Sequence, residues 1–213
     1  MFSTVIVIPS YNELPTLKSL VKKLNKNNIL IIDDASTDGT SKFLKEKKII
    51  HISNKENIGY EGSLIKAFKY LKQKSKIYDY LITIDADNEH DPKYIKKIIK
   101  KVHINKIDLI VCNRSRLNRF IEKIASLLFY KKYKINDPFS GFKIYRTEKL
   151  FRNINFITTK YYLAELVPIF IKKKLKVENF KVKSLNVKNR KSKAGNILKV
   201  SLKMFYFIKK YCI

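Results

Sequence analysis

Tyr80-Leu81-Ile82-Thr83-Ile84-Asp85-Ala86-Asp87-Asn88-Glu89-His90-Asp91-Pro92 is a β-branched apolar run that ends in four carboxylates within seven residues. The run reads as a buried strand that delivers a concentration of negative charge to its tip. Unpaired carboxylates this close repel one another, and a divalent cation among them, Mg²⁺ or Mn²⁺, resolves the repulsion. The usual second partner of such a cation is a phosphate. Alternation along an extended chain points Asp85 and Asp87 the same way where the strand runs out. Asp91 reads differently: followed by Pro92, it suits the cap of the next helix.

Outward from this strand, Val5–Ile8, Ile29–Ile32, Ile49–Ile52 and Leu109–Cys112 read as further strands beside Leu81–Ile84. Helical patterns separate most of them: Leu14, Leu17, Val21 and Leu24; then Leu64, Ala67, Phe68 and Leu71; then Tyr94, Ile95, Ile98, Ile99 and Val102. Continuous apolar strands alternating with helices predict an α/β fold, a mostly parallel sheet covered by helices on both faces. Ligands of such sheets bind beyond the carboxyl ends of the strands. Here those ends carry Pro9-Ser10-Tyr11-Asn12-Glu13, Asp33-Asp34-Ala35-Ser36-Thr37-Asp38-Gly39-Thr40, the acidic cluster, and Asn113-Arg114. No Gly-x-Gly-x-x-Gly or Gly-Lys-Ser loop accompanies them, which argues against a dehydrogenase and a P-loop NTPase.

The chain of 213 residues is 45% apolar and carries 46 Lys and Arg against 18 Asp and Glu, a formal charge of +28. That length suits one core with a small appendage. The charge suits nucleic acid, an anionic membrane or a phosphorylated substrate, and equally a generic solvated surface. Cys112 and Cys212 form neither a zinc pattern nor a disulfide framework, in keeping with a reducing compartment. No signal-peptide pattern opens the sequence and no apolar run has the length of a membrane span, so a cytoplasmic protein is expected, free or peripheral on the cytosolic face of a membrane. Past Arg114, Phe120, Ile121, Ile124, Leu127 and Leu128 form an apolar stripe beside basic residues; residues 117–131 suit a membrane interface and a core-packed helix equally. The terminal segment, with Met204, Phe205, Tyr206, Phe207 and Tyr211 bordered by lysines, leans to the membrane.

Five blocks in order, Val7-Ile8-Pro9-Ser10-Tyr11-Asn12-Glu13, Ile31 to Thr40, Asn57-Ile58-Gly59, Asp85-Ala86-Asp87 and Asp137-Pro138-Phe139-Ser140-Gly141-Phe142, resemble those of family-two glycosyltransferases. The closest likeness is to the polyprenyl-phosphate branch typified by dolichol-phosphate mannosyltransferase, over roughly residues 3–195. The resemblance implies a GT-A fold, a nucleotide-sugar donor, a divalent metal and inversion at the anomeric carbon. It implies that Pro9, Tyr11 and Glu13 line the base and ribose pocket, that Asp34 reaches the base, and that Asp85, Ala86 and Asp87 flank the diphosphate. Asp87 is then the main metal ligand, joined by Glu89 and Asp85, and Arg114 faces an acceptor phosphate. Ser192-Lys193 and Gly195, with Arg190 at a shifted spacing, are similar to a cationic element that closes over the diphosphate or acceptor. Glu165 falls near the sugar, or pairs with a Lys on a helix surface. The expected division is a catalytic unit over residues 1–195 and an amphipathic, interfacial helix over 196–213.

The chemistry is consistent with that set. A departing nucleoside diphosphate is an anion, and a metal bridging its phosphates stabilises the charge that develops. A polyprenyl phosphate is already a nucleophilic anion and needs cationic positioning, which Arg114, Arg190 and Lys193 can supply, more than it needs a base. A glycan hydroxyl would need one, with Asp137 as the candidate. The expected partners are therefore a nucleotide sugar such as GDP-mannose or UDP-glucose, a lipid phosphate, and a membrane surface or separate membrane subunit. A basic nucleic-acid-binding protein would explain the charge and leave the acidic strand tip without a purpose, so no nucleic-acid partner is expected.

Overall fold

The structure is a computed structural model that describes residues 2–74, 78–115, 117, 120–157, 162–185 and 197–212. Seven strands form one sheet: β1 (Thr4–Ser10), β2 (Ile29–Asp33), β3 (His51–Ser53), β4 (Tyr80–Thr83), β5 (Leu109–Asn113), β6 (Lys143–Arg146) and β7 (Val177–Lys181), in the order β3-β2-β1-β4-β6-β5-β7. The five expected strands are present, although β3 is shifted onto His51–Ser53. Two more complete the sheet. β7 runs parallel to β5, and β6 lies antiparallel between β4 and β5.

The reversed strand matters for the site. Parallel strands finish at the ligand-binding rim, so an antiparallel strand between them must begin there. β6 therefore brings Asp137 to Lys143 to the edge where β4 and β5 end. Its pairing of Lys143 with both Thr83 and Val111 fixes that register.

Helices cover both faces. On one, α1 (Leu14–Lys22), α2 (Thr40–Glu46) and α4 (Tyr94–Ile104) bury Leu17, Leu20, Leu44, Ile95 and Ile98 on Ile6, Ile8, Ile31 and Ile82. On the other, α3 (Gly59–Gln73), α6 (Thr147–Asn153) and α7 (Tyr162–Lys172) bury Leu64, Phe68, Leu150, Leu166 and Phe170 on Val5, Val7, Leu30 and Leu81. The period of two along the strands sorts their side chains between the two layers. Each such fully buried side chain contributes about 1.5–3 kcal/mol.

α5 (Phe120–Tyr133) and α8 (Ile197–Tyr211) pack together at the flank of the second layer. α8 divides the aromatic residues that the sequence placed on one face. Met204, Phe207, Ile208 and Tyr211, spaced three and four apart, are buried against the core and α5, whereas Phe205 and Tyr206 point outward. Phe207 stacks on Phe129 at 5.7 Å, and the Tyr133 hydroxyl donates to the Tyr211 carbonyl at 2.7 Å. Among the described residues no helix is long and apolar enough to cross a membrane.

Candidate active site

The loops after β1 and β2 are laced together before any ligand arrives. Asn12, in a left-handed conformation at φ 52°, donates its backbone N–H to Ser36 Oγ at 3.0 Å and accepts from the Thr37 N–H at 2.8 Å. Asp38 accepts from the Leu14 N–H at 2.8 Å, which satisfies an orphan donor at the start of α1. Desolvation raises the Asp38 pKa, but the Thr40 hydroxyl and backbone donors outweigh it and hold the group below its ordinary value.

Asp34 is buried, with Oδ1 accepting from the Asn54 amide at 2.7 Å and the Ile58 N–H at 3.0 Å, and Oδ2 from the Gly59 N–H at 2.9 Å. Both of its oxygens thus face the start of α3, where a negative charge is favoured by the helix dipole. They anchor the Asn57-Ile58-Gly59 block to β2. The contact with a base expected of Asp34 is not where its hydrogen bonds go. Pro9 is buried inside β1, Glu13 accepts from the Thr16 hydroxyl at 3.0 Å, and Tyr11 stands at the rim with 41% of its surface exposed.

The acidic turn is held from three sides. The Tyr60 hydroxyl donates to Asp85 Oδ1 at 2.7 Å, and the fully buried His90 places Nε2 3.5 Å from Asp85 Oδ2. Gly141 forms the third wall: a Cβ added there would lie 2.1 Å from Asp85 Oδ1. Desolvation pushes Asp85 up, yet His90, the Tyr60 hydroxyl and the Arg114 charge prevail and keep its carboxyl well below the ordinary range. Burial and the neighbouring Asp85 charge push the Tyr60 phenol well above its ordinary value, which keeps it a donor. Gly141→Ala is expected to displace Asp85, lowering stability by about 1–3 kcal/mol and turnover by about a hundredfold. Thermal unfolding and kcat/KM check this, and wild-type values for both would remove the close-packing argument.

Beyond Asp85 the chain turns at Ala86, and buried Asp87 accepts from the Glu89 N–H at 2.8 Å. Lys23 reaches the opposite side of the turn, donating to Asn88 Oδ1 at 3.1 Å. Asp91 accepts from the Lys93 N–H at 3.1 Å and pairs with its ammonium at 2.9 Å just ahead of α4, which itself begins at Tyr94 without a side-chain cap, so the capping bond expected of Asp91 falls in the turn before the helix.

Arg114 leaves β5 into a carboxylate clamp. Asp137 Oδ2 accepts from its Nε at 2.8 Å and its backbone N–H at 3.1 Å, Oδ1 accepts from Nη2 at 3.0 Å, and Glu122 of α5 approaches the same nitrogen at 3.6 Å. Burial works against the guanidinium charge, but Asp137 and Glu122 more than restore it. Asp137 thereby takes two of the five side-chain N–H donors of an arginine and fixes the plane that holds the rest. Below this clamp lies Lys143, fully buried, donating to the carbonyls of Pro138 at 2.8 Å and of Ser140. Burial lowers its ammonium to about 7 despite the nearby Asp137 and Asp85. Lys143 ties down the loop that carries both Asp137 and Gly141.

The structure therefore brings Asp85, Asp87, Glu89, Arg114 and Asp137 to the rim around the start of β6, but it does not bring the three acidic residues to one point. Among the described residues no group of three His, Cys, Asp or Glu side chains converges as a metal cage. The reason is that Asp85 turns toward Tyr60 and His90, leaving Asp87 and Glu89 as the pair linked through one turn. Glu165 is fully buried and accepts from the Tyr211 hydroxyl and from Lys210 at 3.3 Å, so it pairs α7 with α8 as a helix-surface partner. Arg190 and Lys193, with Ser192 and Gly195, lie outside the described residues. Tyr60, His90, Glu122, Gly141 and Lys143 were not singled out from sequence. Tyr60 directly follows the Asn57-Ile58-Gly59 block, His90 lies within the opening Tyr80 to Pro92 stretch and Gly141 within the Asp137 to Phe142 block, which is a signal of place but not of contact.

This architecture is shared with solved glycosyltransferases. Glucosyl-3-phosphoglycerate synthase from Mycobacterium tuberculosis, in a crystal structure with Mn²⁺, UDP-glucose and glycerol 3-phosphate, matches with a TM-score of 0.73 at 14% identity, covering 99% of this chain and 80% of that one. The fold is thus the GT-A fold, a mostly parallel sheet flanked by helices. The chain belongs to glycosyl transferase family 2, whose family model matches residues 5–165. Among its relatives, UDP-N-acetylglucosamine–dolichyl-phosphate N-acetylglucosaminyltransferase of Methanococcus voltae is 25% identical across 94% of this chain and 92% of that protein. Undecaprenyl-phosphate mannosyltransferase of Micrococcus luteus is 28% identical across 51% of this chain and 46% of that protein.

Proposed function

We propose that this glycosyltransferase moves a hexose or N-acetylhexosamine from a nucleoside-diphosphate sugar to a polyprenyl phosphate, with inversion and with Mg²⁺ or Mn²⁺. The observation that carries the reading is the pairing, across β6, of an acidic turn at Asp87 and Glu89 with the clamped guanidinium of Arg114. One side suits a cation with its diphosphate, and the other suits a second phosphate. The dolichyl-phosphate transferase similar along nearly its whole length supports this acceptor class, and its UDP-linked donor puts UDP sugars ahead of GDP-mannose.

The residues present fit a divalent cation that takes few protein ligands. Mg²⁺ and Mn²⁺ of this kind are held by one or two carboxylates, with substrate phosphates and waters completing the shell. Asp87 and Glu89 are that pair, and Asp85, held by Tyr60 and His90, faces the nucleotide instead. Once bound, the cation neutralises the charge that gathers on the leaving diphosphate. Tyr11 offers an exposed ring for the base. Arg114 orients the acceptor phosphate with the donors that Asp137 leaves outward, aided by Arg190 and Lys193. The hydroxyl-acceptor alternative asks Asp137 to remove a proton, yet both of its oxygens already accept from Arg114. That occupancy favours the phosphate acceptor.

Nucleoside diphosphate release from UDP-N-acetylglucosamine, UDP-glucose and GDP-mannose tests the reading. With Mn²⁺, release from one donor is expected to rise about a hundredfold on adding polyprenyl phosphate. Free polyprenol is expected to leave it unchanged. Acceleration by a soluble sugar and not by the lipid phosphate would replace this acceptor with a glycan.

A further inference from the structure

The outward face of α5 combines exposure with a charge of one sign. Phe120 is 78% exposed, Leu127 57% and Ile124 38%, at spacings of four and three that place them on one stripe. Phe205 of α8, 60% exposed, shares a stripe with Ile208 and Cys212, which pack with α5, so it borders the seam between the two helices. The surrounding exposed charges, Lys123, Lys131 and Lys209, are all positive. The single acidic residue of α5, Glu122, is buried on the opposite side against Arg114, and α8 contains none. Apolar area of this kind, rimmed by cations and uncovered by the chain's own core, marks an interaction surface.

We propose that this α5–α8 face docks on an anionic lipid bilayer, with Phe120, Ile124, Leu127 and Phe205 entering the interface and the lysines meeting the headgroups. Charge complementarity selects the occupant: an amphipathic helix with lysines beside its apolar stripe binds anionic membranes through both terms together. A second copy of the chain would set lysines against lysines. The location adds a functional consequence. The helix that presents Ile124 and Leu127 outward presents Glu122 inward to Arg114, so the acceptor side of the site stands one helix away from the lipid surface. On α5 the face is the stripe read from sequence, whereas on α8 it differs, because Met204, Phe207 and Tyr211 are committed to the core.

The inference extends the lipid-phosphate reading, and a measurement without any sugar donor separates the two. The full chain is incubated with vesicles of phosphatidylcholine alone or mixed with phosphatidylglycerol, and bound protein is quantified by flotation. Strong binding to the mixed vesicles is expected, with little to phosphatidylcholine alone. Ile124→Ser combined with Leu127→Ser keeps every charge; it is expected to bind about tenfold more weakly with an unchanged melting temperature. No binding by the wild-type chain, or equal binding by the double variant, would overturn the proposal. So would a concentration-dependent dimer, or capture of an acidic protein, that the double variant abolishes while vesicle binding persists.

Discussion

Asp87→Ala is expected to lower metal-dependent sugar transfer by about a thousandfold or more and to leave the melting temperature within a few degrees of wild type. The asymmetry follows from the side chain's place. Asp87 sits at the tip of β4 beyond the core, and its bond to the Glu89 N–H holds one turn and no strand. Losing the bond to the Glu89 N–H costs about 0.5–1.5 kcal/mol, whereas on the reading proposed above the substitution removes the main protein ligand of the cation that stabilises the leaving diphosphate. Raising Mn²⁺ should recover part of the lost rate in Asp87→Asn and none in Asp87→Ala, because an amide oxygen still coordinates weakly. Steady-state rates over a Mn²⁺ series check this, and wild-type turnover by Asp87→Ala would dismiss the cation site at this turn.

The second large effect is expected at Asp137. Only 3% of its side chain is exposed, and its removal leaves the Arg114 guanidinium, 14% exposed, with Glu122 at 3.6 Å and the charges of Glu89 and Asp85 in place of a bidentate carboxylate. Breaking one side of such a buried pair costs about 3–5 kcal/mol, much of it the cost of an uncompensated charge. Asp137→Ala should therefore unfold several degrees earlier, and adding Arg114→Met should return most of that loss while leaving transfer abolished. The combination separates two roles. If Asp137 and Arg114 both served only stability, the double variant would regain activity together with its melting temperature, and that result would contradict the acceptor role proposed here for Arg114.

What could be read from the sequence, and what could not, divides along physical lines. Ile29–Ile32 and Leu109–Cys112 announce themselves because a strand buried on both faces needs an unbroken apolar run. β6 and β7 do not: Lys143-Ile144-Tyr145-Arg146 carries a charge at each end, and Val177-Glu178-Asn179-Phe180-Lys181, partly exposed along its length at the edge of the sheet, has neither an unbroken apolar run nor a period of two. The buried Lys143 was hidden for a related reason, since carbonyl partners at Pro138 and Ser140 exist only once the loop is folded. In the site, the concentration of negative charge at the Asp85-Ala86-Asp87 turn was legible from the sequence. The contacts that hold Asp85 were not, because Tyr60 and Gly141 reach it across long stretches of chain. Asp34 teaches the same lesson: its acidity was apparent, and its direction toward the Gly59 N–H was set by the packing of α3. For α8, the aromatic content was visible but the face was not, since the rotation of a helix is decided by what it packs against.

The central claim is that sugar leaves a nucleoside diphosphate and becomes attached to a lipid phosphate at the rim framed by Asp87 and Arg114. The most direct measurement uses a donor labelled in its sugar, Mn²⁺ and polyprenyl phosphate, followed by extraction into organic solvent. Label is predicted to enter the organic phase as an acid-labile lipid-linked sugar, to require the divalent cation, and to be absent with Asp87→Ala. Label that stays in the aqueous phase with every donor, while the same protein glycosylates a soluble sugar, would contradict the account.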